Sequence, residues 1–218
     1  VSGWASSQPI FRPNFVWGRA IWPVTLESGD LILRPIKIRD QGEWTRVRTR
    51  NAAWLEPWEA SSPAGPSQLP TYAGMVRVLN QQAKAAAALP FIITERLPGL
   101  SKPAIVGQLT VSSIVWGSAM SATLGYWVDQ DRAGRGIVPT AVAMATDHCF
   151  QTLGLHRMEI NIRPENAASL RVVEKLGFRD EGLRPRYLHI NGRWADHRSF
   201  ALTAEEVPEG ILARWLAR

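Results

Sequence analysis

The apolar positions of this chain fall into runs and periods that outline its elements before any chemistry is considered. Gly29-Asp30 opens an unbroken run, Leu31-Ile32-Leu33-Arg34, of the length and texture of a strand. Asp40 followed by Glu43 has capping-box spacing, which predicts a helix starting there and running to about residue 50. Residues 57–70 are broken by Pro and Gly and read as loop, whereas residues 69–89, rich in Ala and Gln, predict a second helix. From residue 90 the texture changes: 91–94, 104–115 and 119–129 read as an antiparallel meander punctuated by Gly and Ser. A third helix is expected over 137–153, stopped by Gly154, then a strand at 157–163 in which Met158, Ile160 and Ile162 alternate with polar positions. Residues 167–176 read as a fourth helix closed by Gly177, with Phe178 folding back onto it. Two last strands, 178–190 and 193–202, meet at Asn191-Gly192, the strongest two-residue hairpin signal.

This order predicts one α/β (α+β) domain: a mixed, mostly antiparallel sheet of about seven strands flanked by about four helices. The domain is expected over 25–206. Residues 1–24, with Trp4, Trp17 and Trp22 set among Pro9, Pro13 and Pro23, read as a tail that packs as a strap, and 207–218 as a C-terminal tail.

Composition narrows the classes without choosing a function. With 218 residues, 45% hydrophobic and 20% charged, the chain can bury an ordinary core unaided. Its single cysteine, Cys149, excludes an internal disulfide framework and a multi-cysteine zinc cage, and reads as core. His148, His156, His189 and His197 lack metal-ligand spacing, so no metal is expected. No run reaches the roughly 18–20 apolar residues of a membrane span, and the first residues do not have the pattern of a signal peptide; the expectation is a cytoplasmic protein. The net charge of +6 is densest at Lys37, Arg39, Arg46, Arg48 and Arg50. That run is either a solvated helix face or a surface toward an anionic partner such as RNA, a ribosome or cofactor phosphates.

The segment with the most chemical content runs from Gly125 to Ile137. A strand ending Tyr126-Trp127-Val128 enters a loop, Asp131-Arg132-Ala133-Gly134-Arg135-Gly136, that leads directly into a helix. Helix N-termini present unpaired N–H groups and a partial positive charge, so this loop is a candidate anion site. Gly134 and Gly136 let backbone approach a phosphate, and Arg132 and Arg135 add charge. Neither a P-loop nor the three-glycine dinucleotide fingerprint is present. Some 30 residues on, Asn166-Ala-Ala-Ser169 opens the helix that ends Glu174-Lys175-Leu-Gly177-Phe178.

Taken together, Arg132-x-Gly134-x-Gly136, the helix and strand that follow, and N-x-x-S-x-x-x-x-E-K-x-G-F resemble the GNAT acetyltransferase superfamily. The stretch Arg186-Tyr187-Leu188-His189-Ile190-Asn191-Gly192-Arg193-Trp194-x-Asp196-His197, and Trp54-Leu55-Glu56-Pro57-Trp58-Glu59, resemble its RimJ/RimL branch of ribosomal-protein N-terminal alanine/serine acetyltransferases. The resemblance covers roughly 29–205. It implies acetyl-CoA as cofactor, direct transfer to an amine, and a sheet splayed between its fourth and fifth strands. It also implies that Tyr126, Trp127 and Val128 pair with the pantetheine arm and that Arg132, Ala133, Gly134, Arg135, Gly136 and Ile137 cradle the pyrophosphate. Asn166 would touch the cofactor and Ser169 would serve the departing thiolate. Candidate catalytic residues are thus Ser169, Tyr126 and Glu59, and candidate acceptor-side residues Trp54, Glu56, Trp58, Glu59, Tyr187 and His197.

The sequence departs from the family pattern at three positions: Asp131 stands where Gln or Arg is usual, Val173 where other branches place a tyrosine acid, and Leu188 where some RimL-type enzymes have a glutamate base. No base is assigned by motif. The acceptor stays open between the N-terminus of a protein, a ribosomal protein among them, and a small amine such as an aminoglycoside or polyamine. A non-catalytic acetyl-CoA-binding or RNA-associated module is a further alternative. Monomer and homodimer are both compatible, and neither sequence-specific nucleic-acid binding nor membrane association is expected.

Overall fold

Leu89–Glu95 (β3) is buried along nearly its whole length, which is why its sequence is a continuous apolar run and not an alternating one. It lies between Leu31–Pro35 (β2) and Ala104–Val115 (β4) in a single eight-stranded sheet. The other strands are Leu26–Ser28 (β1), Ser121–Val128 (β5), Arg157–Ile162 (β6), Arg179–Ile190 (β7) and Arg193–Thr203 (β8). Their order is β1-β2-β3-β4-β5-β6-β8-β7, antiparallel throughout except for the parallel pair β5–β6. This computed structural model describes residues 21–64 and 71–218, and the backbone of Phe15–Val16 and Arg19–Ala20. The expected strap of Trp4 and Trp17 lies outside the described residues; Trp22 packs edge-on against Phe91, ring centroids 5.2 Å apart.

Among the described residues six α-helices accompany the sheet: Gln41–Arg50 (α1), Ala52–Leu55 (α2), Tyr72–Lys84 (α3), Ile137–Asp147 (α4), Ala167–Leu176 (α5) and Leu212–Leu216 (α6). Residues 137–146 of α4 are all buried, so this helix is apolar around most of its circumference and forms the centre of the main core. Cys149 is fully buried in that core, and burial pushes its thiol up to about 12, which suits packing and not nucleophilic chemistry.

Several boundaries moved from their sequence-based positions for identifiable reasons. The helix expected over 69–89 starts only at Tyr72, capped by Thr71, whose hydroxyl accepts from the Gly74 N–H at 3.1 Å. It stops at Lys84 because the next residues serve the sheet: Ala86 turns with positive φ and Leu89 joins β3. Good helix formers thus yield to tertiary pairing. The capping box at Asp40 and Glu43 does not form. The Asp40 carboxylate accepts the Lys37 N–H at 2.9 Å and both terminal nitrogens of Arg34, while Glu43 accepts the Ile105 N–H at 2.8 Å and ties α1 to β4. The third helix is α-helical to Asp147 and ends in a π turn, His148–Thr152.

The C-terminal segment corrects the expected tail. Val207 and Ile211 are buried in the main core, and the Asp147 carboxylate accepts the N–H groups of Ile211 and Leu212 at 2.7 and 3.0 Å. Among the described residues no helix is long and apolar enough to cross a membrane.

Candidate active site

The parallel pairing of β5 with β6 covers only Ser121, Ala122 and Thr123, after which the two strands part. On its other side β5 stays paired with β4 as far as Val128. Among the described residues Leu124 to Val128 therefore present one edge with no strand against it, and a cleft of about 600 Å³ opens there. This is the splay expected between the fourth and fifth strands of the sequence reading.

At the C-terminal end of β5 the chain turns through the phosphate-site candidate. Gly134 and Gly136 both have φ of +79°, a conformation that side chains other than glycine rarely adopt. Nothing lies within 4 Å of a Cβ built at Gly134, so the concavity on that side is one a side chain would fill. Gly136 then starts α4. Arg132, Ala133, Gly134, Gly136 and Ile137 line the cleft, as do Tyr126, Trp127, Val128, Asn166 and Ser169. Arg135 does not line it, and Arg132 lies 3.6 Å from the Glu95 carboxylate, which shares its charge. The added positive charge comes instead from Arg171 and Lys175, which the sequence reading did not single out. Their i,i+4 spacing on α5 was the available signal.

A buried carboxylate anchors this turn. Asp129 accepts from Asn51 Nδ2 at 2.8 Å and from Arg50, while Asn51 Oδ1 accepts the Gln130 N–H at 2.9 Å. Burial alone would raise the Asp129 carboxyl, but the hydrogen bonds from Asn51 and Arg50 outweigh it and hold the group below its usual range. A depressed acid contributes stability above its unfolded pKa, near about 4, and that contribution is lost as pH falls through the folded value. Asp129→Asn is therefore expected to cost about 2 kcal/mol at neutral pH, since it leaves Arg50 without its partner. Urea melts from about pH 7 down to about pH 3 should show the gap between variant and parent closing on the acid side; a constant gap would remove the charge from the explanation.

Tyr126 and Ser169 face the cleft from opposite walls, one on β5 and one on the first turn of α5. Asn166 caps that helix by accepting the Ser169 N–H at 3.0 Å. The Tyr126 hydroxyl is buried without a hydrogen-bond partner of good geometry among the described residues. Burial pushes it up to about 12, with the nearby Ser169 hydroxyl pulling the other way. It is thus a neutral phenol, able to donate a hydrogen bond and unsuited to act as a base.

The other end of the cleft is walled by Trp54, Trp58, Glu59 and Ala60 together with Trp44 and Arg48 of α1. Trp44 donates to Gln108 Oε1 at 2.9 Å, and the Arg48 guanidinium lies 5.2 Å from the Trp127 ring centroid and pairs with Glu59. Trp44 is not marked by the sequence, and Arg48 is marked there only as one of the basic run at 37–50, because an indole and a guanidinium at i,i+4 are unremarkable on a helix. The loop carrying Glu59 is docked onto the β7–β8 hairpin: Ala60 bridges Ile190, the Asn191 N–H donates to the Glu59 carbonyl at 2.9 Å, and the Ser61 N–H to the His189 carbonyl at 2.9 Å. Asn191 and Gly192 both have positive φ, as the two-residue turn requires. Glu56, Tyr187 and His197 do not line the cleft. Glu56 borders a shallow hollow behind the loop, and His197 is buried against Tyr187, its Nδ1 3.0 Å from the Ala195 carbonyl. Burial lowers the His197 pKa, so a neutral, structural imidazole accounts for it.

Among the described residues, no group of three or more metal-ligating side chains is present. The features at the cleft suit acetyl-CoA: a strand edge unpaired among the described residues for an extended amide-bearing arm, a glycine turn at a helix start for phosphates, two cations on α5, and the buried Tyr126 phenol beside Ser169.

A family model described as "Acetyltransferase (GNAT) domain" matches residues 30–179. The chain is 30% identical over 190 residues to the [Ribosomal protein uS5]-alanine N-acetyltransferase of Escherichia coli (strain K12), covering 86% of this chain and 94% of that protein. A shorter match, 38% identical over 98 residues, takes in 45% of this chain and about half (54%) of the Bacillus subtilis (strain 168) "Probable N-acetyltransferase YjcK". Among solved structures, RimJ of Mycobacterium smegmatis in complex with CoA-disulfide superposes with a TM-score of 0.80 at 39% identity, covering 90% of this chain and 95% of that one.

Proposed function

The chain belongs to the GNAT acetyltransferase family, and from that premise we propose that its acceptor is the N-terminal α-amine of a protein, a ribosomal protein beginning with alanine or serine. It is an acetyl-CoA-dependent N-acetyltransferase, and it resembles the RimJ/RimL enzymes in sequence and fold. The observation that carries the proposed acceptor is the makeup of the amine end of the cleft. Two indoles, Trp54 and Trp58, flank one carboxylate, Glu59, which is already paired with Arg48. Among the described residues Glu59 is the only acidic one lining the cleft, against Arg48, Arg132, Arg171 and Lys175. A polyamine or aminoglycoside carries several ammonium groups and calls for several carboxylates; a single amine at the end of an apolar peptide does not.

Acetyl-CoA supplies the acetyl group activated as a thioester. The chain's own contribution is to hold and orient. The free edge of Leu124 to Val128 offers backbone groups to an extended arm, the Gly134–Gly136 turn offers amides to phosphates, and Tyr126 and Ser169 offer hydroxyl donors to the sulfur side. A thiol titrates near about 8.5, so its thiolate needs only modest help to leave. An α-amine titrates near about 8, so about a tenth is neutral at pH 7, whereas a lysine near about 10.4 is almost wholly charged. A site without a dedicated strong base therefore suits an N-terminal amine.

Turnover of acetyl-CoA against short peptides that differ only in the first residue, with spermidine and an aminoglycoside alongside, tests this reading. Preference for alanine or serine peptides is expected, and faster turnover of the polyamine would overturn it. Glu59→Gln should raise KM for the peptide about three- to tenfold and leave KM for acetyl-CoA nearly unchanged, because only the amine side is altered. If Glu59 acted as a base, the variant would instead lose kcat and show a steeper pH dependence below about 8. Unchanged kinetics in both Glu56→Gln and Glu59→Gln would assign the loop to packing alone.

A further inference from the structure

Helix α6 lies beyond the residues that the family model matches, yet one of its side chains reaches back to the glycine turn. Thr140 Oγ1 donates to the Gly136 carbonyl at 2.9 Å and accepts from Trp215 Nε1 at 2.8 Å. The indole also closes one side of the glycine: a Cβ at Gly136 would lie 3.5 Å from Trp215 Cζ2. The same ring has the Lys175 ammonium 5.9 Å from its centroid, and Lys175 and Gly136 both line the cleft while Trp215 does not. We propose that Trp215 is a positioning residue for acetyl-CoA binding: acting through Thr140 it fixes the Gly136 peptide group, and through its ring it keeps Lys175 at the rim of the cleft.

The physical need is specific to this turn. A glycine at positive φ has no Cβ to restrict it, so its peptide groups depend on hydrogen bonds for their orientation; the Gly136 carbonyl accepts the Thr140 N–H at 3.0 Å and, beside it, the Thr140 hydroxyl. A threonine in a helix commonly donates to the carbonyl four residues back. Here the acceptor side of that hydroxyl is engaged as well, by an indole N–H, and hydrogen bonds in series polarise and strengthen one another. The far end of the relay is anchored: Asp147 holds the N–H groups of Ile211 and Leu212, and Arg214 donates to the Leu176 carbonyl at 2.7 Å. Helix α6 thus bridges α4 and α5, which border the cleft on either side of the turn. Ordering the turn before the ligand arrives removes a cost that binding would otherwise bear.

The experiment is calorimetric titration of the full chain with acetyl-CoA, with no acceptor present, so that its outcome does not depend on the acceptor proposed above. Trp215→Phe keeps the ring and loses the N–H; Thr140→Val keeps the buried volume and loses the hydroxyl. Each should weaken acetyl-CoA binding about three- to tenfold, the effect of one hydrogen bond. Thr140→Ser, which retains the hydroxyl, should stay within about twofold of the parent, and the double variant Trp215→Phe/Thr140→Val should bind no more weakly than the weaker single, because both break one relay. In steady state KM for acetyl-CoA should follow Kd, while KM for the peptide stays constant. A purely structural role predicts a lower melting temperature of the free protein with Kd unchanged, and that result overturns the proposal. So do parent-like Kd values in both single variants, or effects that simply add in the double.

Discussion

Replacing Gly134 and Gly136 together with valine abolishes the rise in melting temperature that acetyl-CoA gives the parent protein; this is the largest effect expected of any substitution in the cleft. Both residues sit at φ of +79°, where a β-branched side chain is strongly disfavoured. The turn must either strain or rearrange, and a Cβ at Gly134 would project into the open space beside the backbone amides. A ligand present at about a hundred times its Kd stabilises a fold by about 2.7 kcal/mol, a shift of several degrees for a chain of this size. That whole increment is at stake. The control is the melting temperature without ligand: the turn lies at the surface end of α4, so the free variant should remain folded and lose only a few degrees. A double variant that still shows the parent's ligand shift would mean that the phosphates are held elsewhere.

The second large effect concerns the two hydroxyls that meet across the cleft. Ser169→Ala should lower kcat about ten- to hundredfold while changing the affinity for acetyl-CoA no more than a few-fold. Tyr126→Phe should lower kcat about tenfold and should not destabilise the free protein, because it removes a buried hydroxyl that has no good partner there. That combination, slower turnover with stability kept or gained, separates a group placed for the reaction from one placed for packing. Burial keeps Tyr126 protonated until about pH 12, so neither variant should change the pH dependence of kcat through neutrality. Parent-like turnover in both would remove the hydroxyls from the mechanism.

Much of the cleft was legible from local pattern because local chemistry specifies it. A glycine pair before a helix, an asparagine cap with Ser169 three residues on, and a Gly177 stop followed by Phe178 are dictated within a few residues of chain. The structure forms each of them: Asn166 caps α5, and the Phe178 N–H closes back on the Val173 carbonyl at 3.0 Å. The Asn191-Gly192 turn set the β7–β8 register for the same reason. The eighth strand of the sheet, β1, escaped notice because three residues, none of them fully buried, carry almost no periodic signal.

Only the tertiary structure determined which charges and aromatic groups reach the cleft. Arg135 and Arg171 are both exposed arginines in the sequence, yet α5 carries Arg171 to the cleft and the turn carries Arg135 away from it. Asp129, Asn51 and Arg50 are 78 and 79 residues apart in sequence, so nothing local announces that they join α1 to the turn. Helix α6 is the clearest case. Its N–H groups are capped by Asp147, and its indole is aimed at Thr140, through hydrogen bonds spanning 64 to 75 residues. Short-range rules set how a backbone turns, starts and stops, because those interactions are complete within a few residues. Where a buried charge or a distant indole finds its partner depends on the packing of the whole sheet, and that is decided only when the chain closes on itself.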